Sequence, residues 1–210
     1  MTGFVPSEGK WGNPSWEVAR RLNGILVGGF RVRAVRLPVR YDQCVRVAMA
    51  AIGRRHPAAI LMTGQAGGRT GVSVETRFVN AQEGLDAAEK PPPGRQVVRG
   101  GPMHVRATLP VQQIVSALRK AGIAARASRH AGRFLCNHLG YSVLHALSQS
   151  GKNIPAGFIH LPFLPAQTAH RRPRPASLSL RHSVRAVRIA ATEVARQCEA
   201  GALDPRRRPA

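Results

Sequence analysis

The chain has few acidic residues, few aromatic residues and no long apolar run. It contains 10 Asp and Glu against 32 Lys and Arg, a formal net charge of +22, and only 5% of its 210 residues are aromatic. So few aromatic rings argue against the stacking platforms of RNA- and single-strand-binding proteins. Because no 18 consecutive residues are apolar, the sequence predicts no membrane-spanning helix.

Cysteine is also scarce. The three cysteines, Cys44, Cys136 and Cys198, are an odd number and lack the spacing of a disulfide framework or of a zinc site. The amino terminus has no charged segment followed by an apolar one, so no secretory signal is expected. We therefore predict free thiols, no metal, no organic cofactor and a cytoplasmic location. Cys44 and Cys198 lie outside any motif and are interpreted as structural.

The basic residues are spread along the chain instead of forming one cluster. Arginine pairs or runs occur at 20–21, 54–55, 171–172 and 206–208. A solvated basic surface is the simplest interpretation, although such a surface predicts salt-sensitive, non-specific binding to polyanions. A polyanion-binding protein is therefore kept as one alternative function.

Short apolar runs alternate with helical periodicity, a pattern typical of α/β proteins. The apolar content of 43% is enough to bury one core, and we expect a single domain over residues 1–210. The patterns predict helices at 14–23, 42–55, 111–120, 134–148 and 177–198, strands at 30–37, 58–62, 123–127 and 156–162, and a proline-rich surface loop over 83–96.

Three residues suggest thiol chemistry. Cys136 follows a small-residue turn and opens an amphipathic segment, His160 stands near the end of an apolar run, and Glu75 follows the glycine-rich segment 64–69. A helix dipole and a nearby histidine both favour a reactive thiolate, and a carboxylate can orient the histidine. Each residue alone would more often be structural. Together they predict a Cys-His-Glu hydrolase.

Four sequence boxes occur in order along the chain. They are Thr2-Gly3-Phe4-Val5-Pro6 with Asn13-Pro14-Ser15, then Gly64-Gln65-Ala66-Gly67-Gly68-Arg69, then Ala131-Gly132-Arg133-Phe134-Leu135-Cys136-Asn137, and finally Ala156-Gly157-Phe158-Ile159-His160-Leu161-Pro162. In this order they resemble the pyroglutamyl peptidase type I family of cysteine exopeptidases, and the resemblance covers nearly the whole chain. It implies a three-layer α/β/α sandwich with a mixed, mostly parallel twisted sheet, and a homotetramer.

The resemblance also implies an activity. Members of the family hydrolyse the N-terminal pyroglutamyl (5-oxoprolyl) residue from peptides and proteins. On this basis Cys136 is the expected nucleophile, His160 the expected base and Glu75 the expected orienting carboxylate.

Four further residues are expected at the substrate. By resemblance, Phe4 and Phe134 form apolar walls on the pyroglutamyl ring, and Leu135 supplies a wall or backbone partners. Gln65 helps to position the lactam. Ordinary core packing is an equally good interpretation of Phe4 and Phe134 from the sequence alone.

The chain departs from the family pattern at several positions. Ser7 stands where the family has a second pocket phenylalanine, and Thr76 follows the glutamate where the family has arginine. The family's assisting arginine, about ten residues beyond the glutamate, falls on Leu85, and Arg77 is the one close arginine. These departures keep open a weakly active or non-catalytic relative that binds peptide ends.

The start of the chain differs as well. Only Met1 precedes the Thr-Gly-Phe box, whereas family members have several apolar residues there that form the first, central strand. We therefore expect a truncated first strand and a gap in the sheet, or a start further upstream.

Overall fold

The structure, a computed structural model, describes residues 1–6 and 12–203. Ser7 therefore lies outside the described residues. The elements of the described part are strands β1 (Thr2–Phe4), β2 (Leu26–Val27), β3 (Phe30–Arg31), β4 (Val35–Leu37), β5 (Ile60–Gln65), β6 (Val72–Glu75), β7 (Arg77–Val79), β8 (His104–Arg106), β9 (Ala125–Ser128) and β10 (Ala156–Leu161), and helices α1 (Pro14–Leu22), α2 (Tyr41–Arg55), α3 (Val111–Lys120), α4 (Leu135–Gln149), α5 (Pro165–Thr168) and α6 (Leu180–Leu203).

Six strands form the central sheet in the order β4-β1-β5-β10-β6-β9. All neighbours are parallel except β10 and β6, which run antiparallel. Two short antiparallel pairs, β2 with β3 and β7 with β8, lie outside this sheet. The predicted mixed, mostly parallel sheet is confirmed.

Each face of the sheet is covered by helices. One core contains residues of α2 and α4, and the other contains residues of α1, α3 and α6. Side chains alternate along a strand, so neighbouring residues of β10 enter different cores: Phe158 packs with α2 and α4, whereas Ile159 and Leu161 pack on the opposite side. This arrangement gives the three predicted layers.

The predicted strand over 30–37 is wrong in one respect, because it is two strands. Phe30–Arg31 pairs with β2 through a turn at Gly28 and Gly29, both of which have positive φ. Val35–Leu37 instead joins the central sheet beside β1. Between β3 and β4, the Ala34 N–H donates to Asn23 Oδ1 at 2.9 Å, which holds the segment that connects the two strands. The pattern of apolar residues does not reveal where a segment changes the strand with which it pairs.

Other predicted boundaries differ by a few residues. The strand predicted at 58–62 begins at Ile60, and the last helix begins at Leu180 instead of 177. Ser177 forms an isolated bridge with Phe163, and Ser179 Oγ accepts the His182 N–H at 3.2 Å, as a helix-capping serine does. The loop over 83–96 is confirmed.

The first strand is short but present in the interior of the sheet. Its ladder extends to Met1, whose carbonyl accepts the Val35 N–H at 2.8 Å and whose amino group donates to the Arg33 carbonyl at 2.8 Å. A largely apolar cavity of about 310 Å³ opens beside Met1 and Ile60. β1 itself is paired on both sides, with β4 and with β5, so the central sheet shows no gap at this position among the described residues.

Two helical glycines offer a matched test of core packing. A Cβ atom at Gly140 in α4 would lie 2.3 Å from the fully buried Phe78 ring, whereas a Cβ at Gly53 in α2 would meet nothing within 4 Å. We expect Gly140→Ala to lower the free energy of unfolding by about 1–3 kcal/mol through overpacking. Gly53→Ala should leave it unchanged or raise it by up to about 1 kcal/mol. Urea denaturation measures both, and equal effects would contradict this packing.

Candidate active site

Cys136 lies in the first turn of α4, after a turn that requires glycine. Gly132 in that turn has a φ of +81°, and its N–H donates to His130 Nδ1 at 3.0 Å. The thiol faces Gly64 of β5, where an added Cβ would lie 2.7 Å from Cys136 Sγ. Only glycine leaves room for the thiol at this point of the sheet. The glycine-rich box and the cysteine box therefore meet.

His160 and Glu75 form a buried pair on the same face of the sheet. His160 is the Cα partner of Gly64 on one side and of Ser73 on the other, and Glu75 shares its face with Ser73 because side chains alternate. His160 Nδ1 lies 2.8 Å from Glu75 Oε1. Both side chains are buried. A carboxylate accepts, so Nδ1 carries the proton and Nε2 is left as the basic nitrogen.

Thus the structure brings the three predicted residues to one place. Gly64 links them, because it contacts the Cys136 thiol and is paired in register with His160. The prediction that His160 stands near the carboxyl end of a buried strand is confirmed. The Glu75 side chain has no exposed surface.

A fourth residue, Arg69, was missed as a functional candidate. Its Nη1 lies 2.6 Å from Glu75 Oε1, the oxygen that also contacts His160, and its Nη2 donates to the His130 carbonyl at 2.8 Å. The available signal was its place at the end of the glycine-rich box, six residues before the glutamate. Spacing alone does not reveal the contact, because the chain bends at Thr70 and Gly71 between the two.

Burial and charge act in opposite directions on the ionisable groups. Burial opposes the charge on Glu75, but the hydrogen bond and charge of His160, together with Arg69, hold its carboxyl pKa below the ordinary value. Burial lowers the pKa of His160, and Glu75 only partly counteracts this. At neutral pH the site therefore contains a carboxylate and an uncharged imidazole.

The thiol pKa differs from the sequence prediction. Burial raises the pKa of Cys136 to about 12, and the Glu75 charge adds to this, while Arg69 and the backbone N–H of Cys136 lower it. The resting thiol is therefore protonated. The expected lowering by the helix start is outweighed, because removing a thiolate from water costs more than one helix terminus supplies.

The predicted substrate residues lie in different environments. Phe4 and Leu135 are buried in the same core, on the α2 and α4 side. Phe134 is 38% exposed and packs edge-on against Tyr41, with ring centroids 5.7 Å apart. Phe134 is thus the ring that remains accessible. Phe4 is held by its N–H, which donates to Ser15 Oγ at 3.0 Å.

Gln65 directs its side chain away from the thiol. It follows Gly64 on β5 and so faces the opposite side of the sheet, where its Oε1 accepts from Gln167 Nε2 at 2.9 Å. Gln167 is fixed in turn by the Leu164 N–H, which donates to its Oε1 at 2.7 Å. The group that Gln65 presents toward the thiol side is therefore its backbone.

The structure describes Thr76 and Leu85, two positions that depart from the family pattern, and the nearby Arg77. Thr76 Oγ1 donates to the Ser128 carbonyl at 2.9 Å, and Arg77 Nε donates to the Arg129 carbonyl at 3.1 Å. Leu85 is 59% exposed on the loop. Among the described residues, the guanidinium that reaches the glutamate is that of Arg69.

Cys44 is fully buried in the core beside α4, and all three cysteines are free thiols. Within residues 1–6 and 12–203, no group of three or more His, Cys, Asp or Glu side chains is arranged to hold a metal ion. No helix in this part of the chain is long and apolar enough to cross a membrane.

Comparison with known proteins supplies the family. A family model described as pyroglutamyl peptidase matches residues 1–197. A pyrrolidone-carboxylate peptidase of Klebsiella pneumoniae is 42% identical over 171 residues, 80% of this chain and 79% of that protein. One of Bacillus licheniformis is 39% identical over 193 residues, 91% of this chain and 89% of that protein.

Solved structures agree with the sequence comparisons. The pyroglutamyl peptidase I of Bacillus amyloliquefaciens superposes with a TM-score of 0.88 at 37% identity and covers 92% of both chains. A mutant pyrrolidone carboxyl peptidase of the hyperthermophile Pyrococcus furiosus gives a TM-score of 0.88 at 32% identity, covering 93% of this chain and 96% of that one. The chain therefore belongs to the pyroglutamyl peptidase family and is a peptidase.

Proposed function

We propose that this protein is a cysteine exopeptidase that removes N-terminal pyroglutamate from peptides and proteins. Cys136 is the nucleophile, His160 the general base and Glu75 the carboxylate that orients it. One observation carries the proposal: the buried 2.8 Å contact between His160 Nδ1 and Glu75 Oε1, on the sheet face where the Cys136 thiol packs against Gly64. The arrangement follows the nucleophile–base–orienter order of known triads.

The first step transfers a proton and forms a bond. Since both the thiol and the imidazole are uncharged at rest, Nε2 of His160 takes the thiol proton as Sγ attacks the carbonyl carbon that follows the pyroglutamyl ring. Glu75 stabilises the imidazolium that forms. The carbonyl oxygen becomes an oxyanion, and backbone N–H groups at the start of α4 are the available donors.

The second step releases the products. The imidazolium of His160 protonates the leaving amine as the C–N bond breaks, which leaves a pyroglutamyl thioester on Cys136. Water, deprotonated by His160, then attacks the thioester carbonyl. The C–S bond breaks, the thiol recovers its proton, and free pyroglutamate departs.

Specificity for pyroglutamate follows from the apolar surroundings. A pyroglutamyl residue has no charged amine, because its nitrogen is part of the lactam, so it can enter a site that desolvates charges. Phe134 offers an accessible ring face, and Phe4 and Leu135 offer apolar packing behind it. Because Gln167 holds the Gln65 side chain, we assign the lactam contact of Gln65 to its backbone.

The first test is hydrolysis of a fluorogenic pyroglutamyl amide by the reduced protein. We expect turnover of this substrate and none of the matching prolyl amide, which lacks the lactam carbonyl and carries a charged amine. Cys136→Ala should reduce kcat by at least about 10³-fold, because the residue supplies the bond-forming atom. Cys198→Ala, a matched half-buried thiol near Ala58, should retain wild-type turnover. Equal turnover by wild type and Cys136→Ala would refute the assignment.

The second test uses the pH dependence of kcat/KM. His160 acts only when uncharged, and burial lowers its pKa, so the acid limb should lie below the ordinary imidazole value of about 6.5. Activity should therefore persist as the pH falls through 6.5 and be lost at lower pH. An acid limb at or above about 7 would contradict an uncharged resting histidine.

A third test addresses the accessible pocket wall. Phe134→Ala removes the exposed ring but none of the three proposed catalytic groups, so we expect KM for the pyroglutamyl amide to rise about tenfold while kcat changes less. Leu85→Ala, a more exposed apolar residue on the neighbouring loop, is the control. A fall confined to kcat would argue that Phe134 positions Cys136 and does not bind substrate.

Four expectations remain predictions from the sequence. They are the homotetramer, the cytoplasmic location, one domain over residues 1–210, and non-specific polyanion binding through the basic surface.

A further inference from the structure

Arg69 connects two parts of the chain that the proposed mechanism needs together. Its Nη1 contacts Glu75 Oε1 at 2.6 Å, and its Nη2 donates to the His130 carbonyl at 2.8 Å. Glu75 belongs to β6, whereas His130 begins the turn that leads into α4 and Cys136. One guanidinium therefore spans the carboxylate and the segment that carries the thiol, with both contacts directed by its planar fork.

This contact differs from an ordinary surface ion pair. The Arg69 side chain is only 17% exposed and Glu75 not at all. Oε1 of Glu75 contacts both Arg69 and His160, and Oε2 has no hydrogen-bond partner among the described residues. Without Arg69, the buried carboxylate would keep only its hydrogen bond to the uncharged His160 and would have no ion-pair partner among the described residues. Breaking a buried pair in this way is costly.

The charge of Arg69 also acts on the proton balance of the site. Its positive charge lowers the pKa of both His160 and Cys136, although burial has the largest effect on each of these two pKa values. Glu75 acts in the opposite direction on both groups. Without the guanidinium, the carboxylate would hold a proton on His160 more strongly, and the imidazole would be less available as a base.

We propose that Arg69 is a positioning residue for the reaction, which sets the orientation and charge of the Glu75–His160 pair and anchors the turn before Cys136. The inference rests on the proposed function. Among the described residues, the side-chain hydrogen bonds of Arg69 go to Glu75 and to the His130 carbonyl, so it acts through these two residues. Its effect must therefore appear in the pH dependence as well as in the rate.

The test compares four variants in the pyroglutamyl amide assay. Arg69→Met and Arg69→Gln remove the charge, Arg69→Lys retains it, and Arg77→Met is the matched control, since Arg77 donates to the neighbouring Arg129 carbonyl and forms no ion pair with Glu75. Circular dichroism checks that each variant is folded. If Arg69→Met does not fold, Arg69→Gln, which keeps a donor for the His130 carbonyl, serves the same comparison.

Loss of a nearby positive charge raises the pKa of every neighbouring group. We therefore expect the acid limb of kcat/KM to move up by about one pH unit in the neutral variants, with a loss that approaches about tenfold at pH values below the wild-type limb. Arg69→Lys should keep the wild-type limb at a reduced rate, because one ammonium cannot reproduce the fork. Arg77→Met should match wild type. A uniform loss with an unshifted limb in the neutral variants would overturn the proposal.

A second measurement separates this proposal from the proposed function. Alkylation of Cys136 by iodoacetamide, followed by mass spectrometry across pH, reports thiolate formation without any substrate. We expect alkylation at pH 8 to slow by about tenfold in Arg69→Met and to stay unchanged in Arg77→Met. If wild type alkylates normally but does not cleave the pyroglutamyl amide, the proposed function fails while Arg69 is still tested. Equal alkylation in all variants would refute the role of Arg69.

Discussion

The buried contact between His160 and Glu75 is the constraint on which the rest of the site depends. It joins β10 to β6, the single antiparallel pair of the central sheet, and it places a carboxylate where no water reaches its surface. A charge in such a place is tolerated only with partners. The imidazole supplies one and the Arg69 guanidinium supplies the other. The tautomer of His160 follows from this contact, and with it the nitrogen that is left to act as a base.

Close packing around the thiol explains two features that look unfavourable at first. Gly64 leaves no side chain between β5 and Cys136, so the sulfur lies directly against the sheet. The same burial raises the pKa of the thiol and lowers that of the histidine. The site therefore rests without charge on either partner and separates charge only when a proton moves between them. A ligand without a charged amine suits such surroundings, and this connects the electrostatics with the proposed pyroglutamyl specificity.

Much of this was accessible from the sequence, and the reasons differ from element to element. The helix at Leu135–Gln149 and the strand at Ala156–Leu161 were predicted closely because their apolar patterns are long and uninterrupted. The strand over 30–37 was not, since its two halves pair with different partners although their hydrophobicity is continuous. Gln65 was expected at the lactam as a side chain, and only the alternation of β5, visible once Gly64 is placed against the thiol, turns that side chain to the other face. Arg69 was seen as part of a motif without a role.

The sequence by itself determined the residue types of the site, the order of the motifs and the α/β class, because these depend on local patterns and on chemical identity. Only the tertiary structure decided which charges meet. Arg69 and Glu75 are six residues apart, His160 is 85 residues beyond Glu75, and His130 lies 61 residues beyond Arg69. Their contacts arise from the register of β10 between β5 and β6 and from the turn before α4. The pKa of a buried group depends on the sum of such contacts and on lost solvent, neither of which is written in the spacing of residues along the chain.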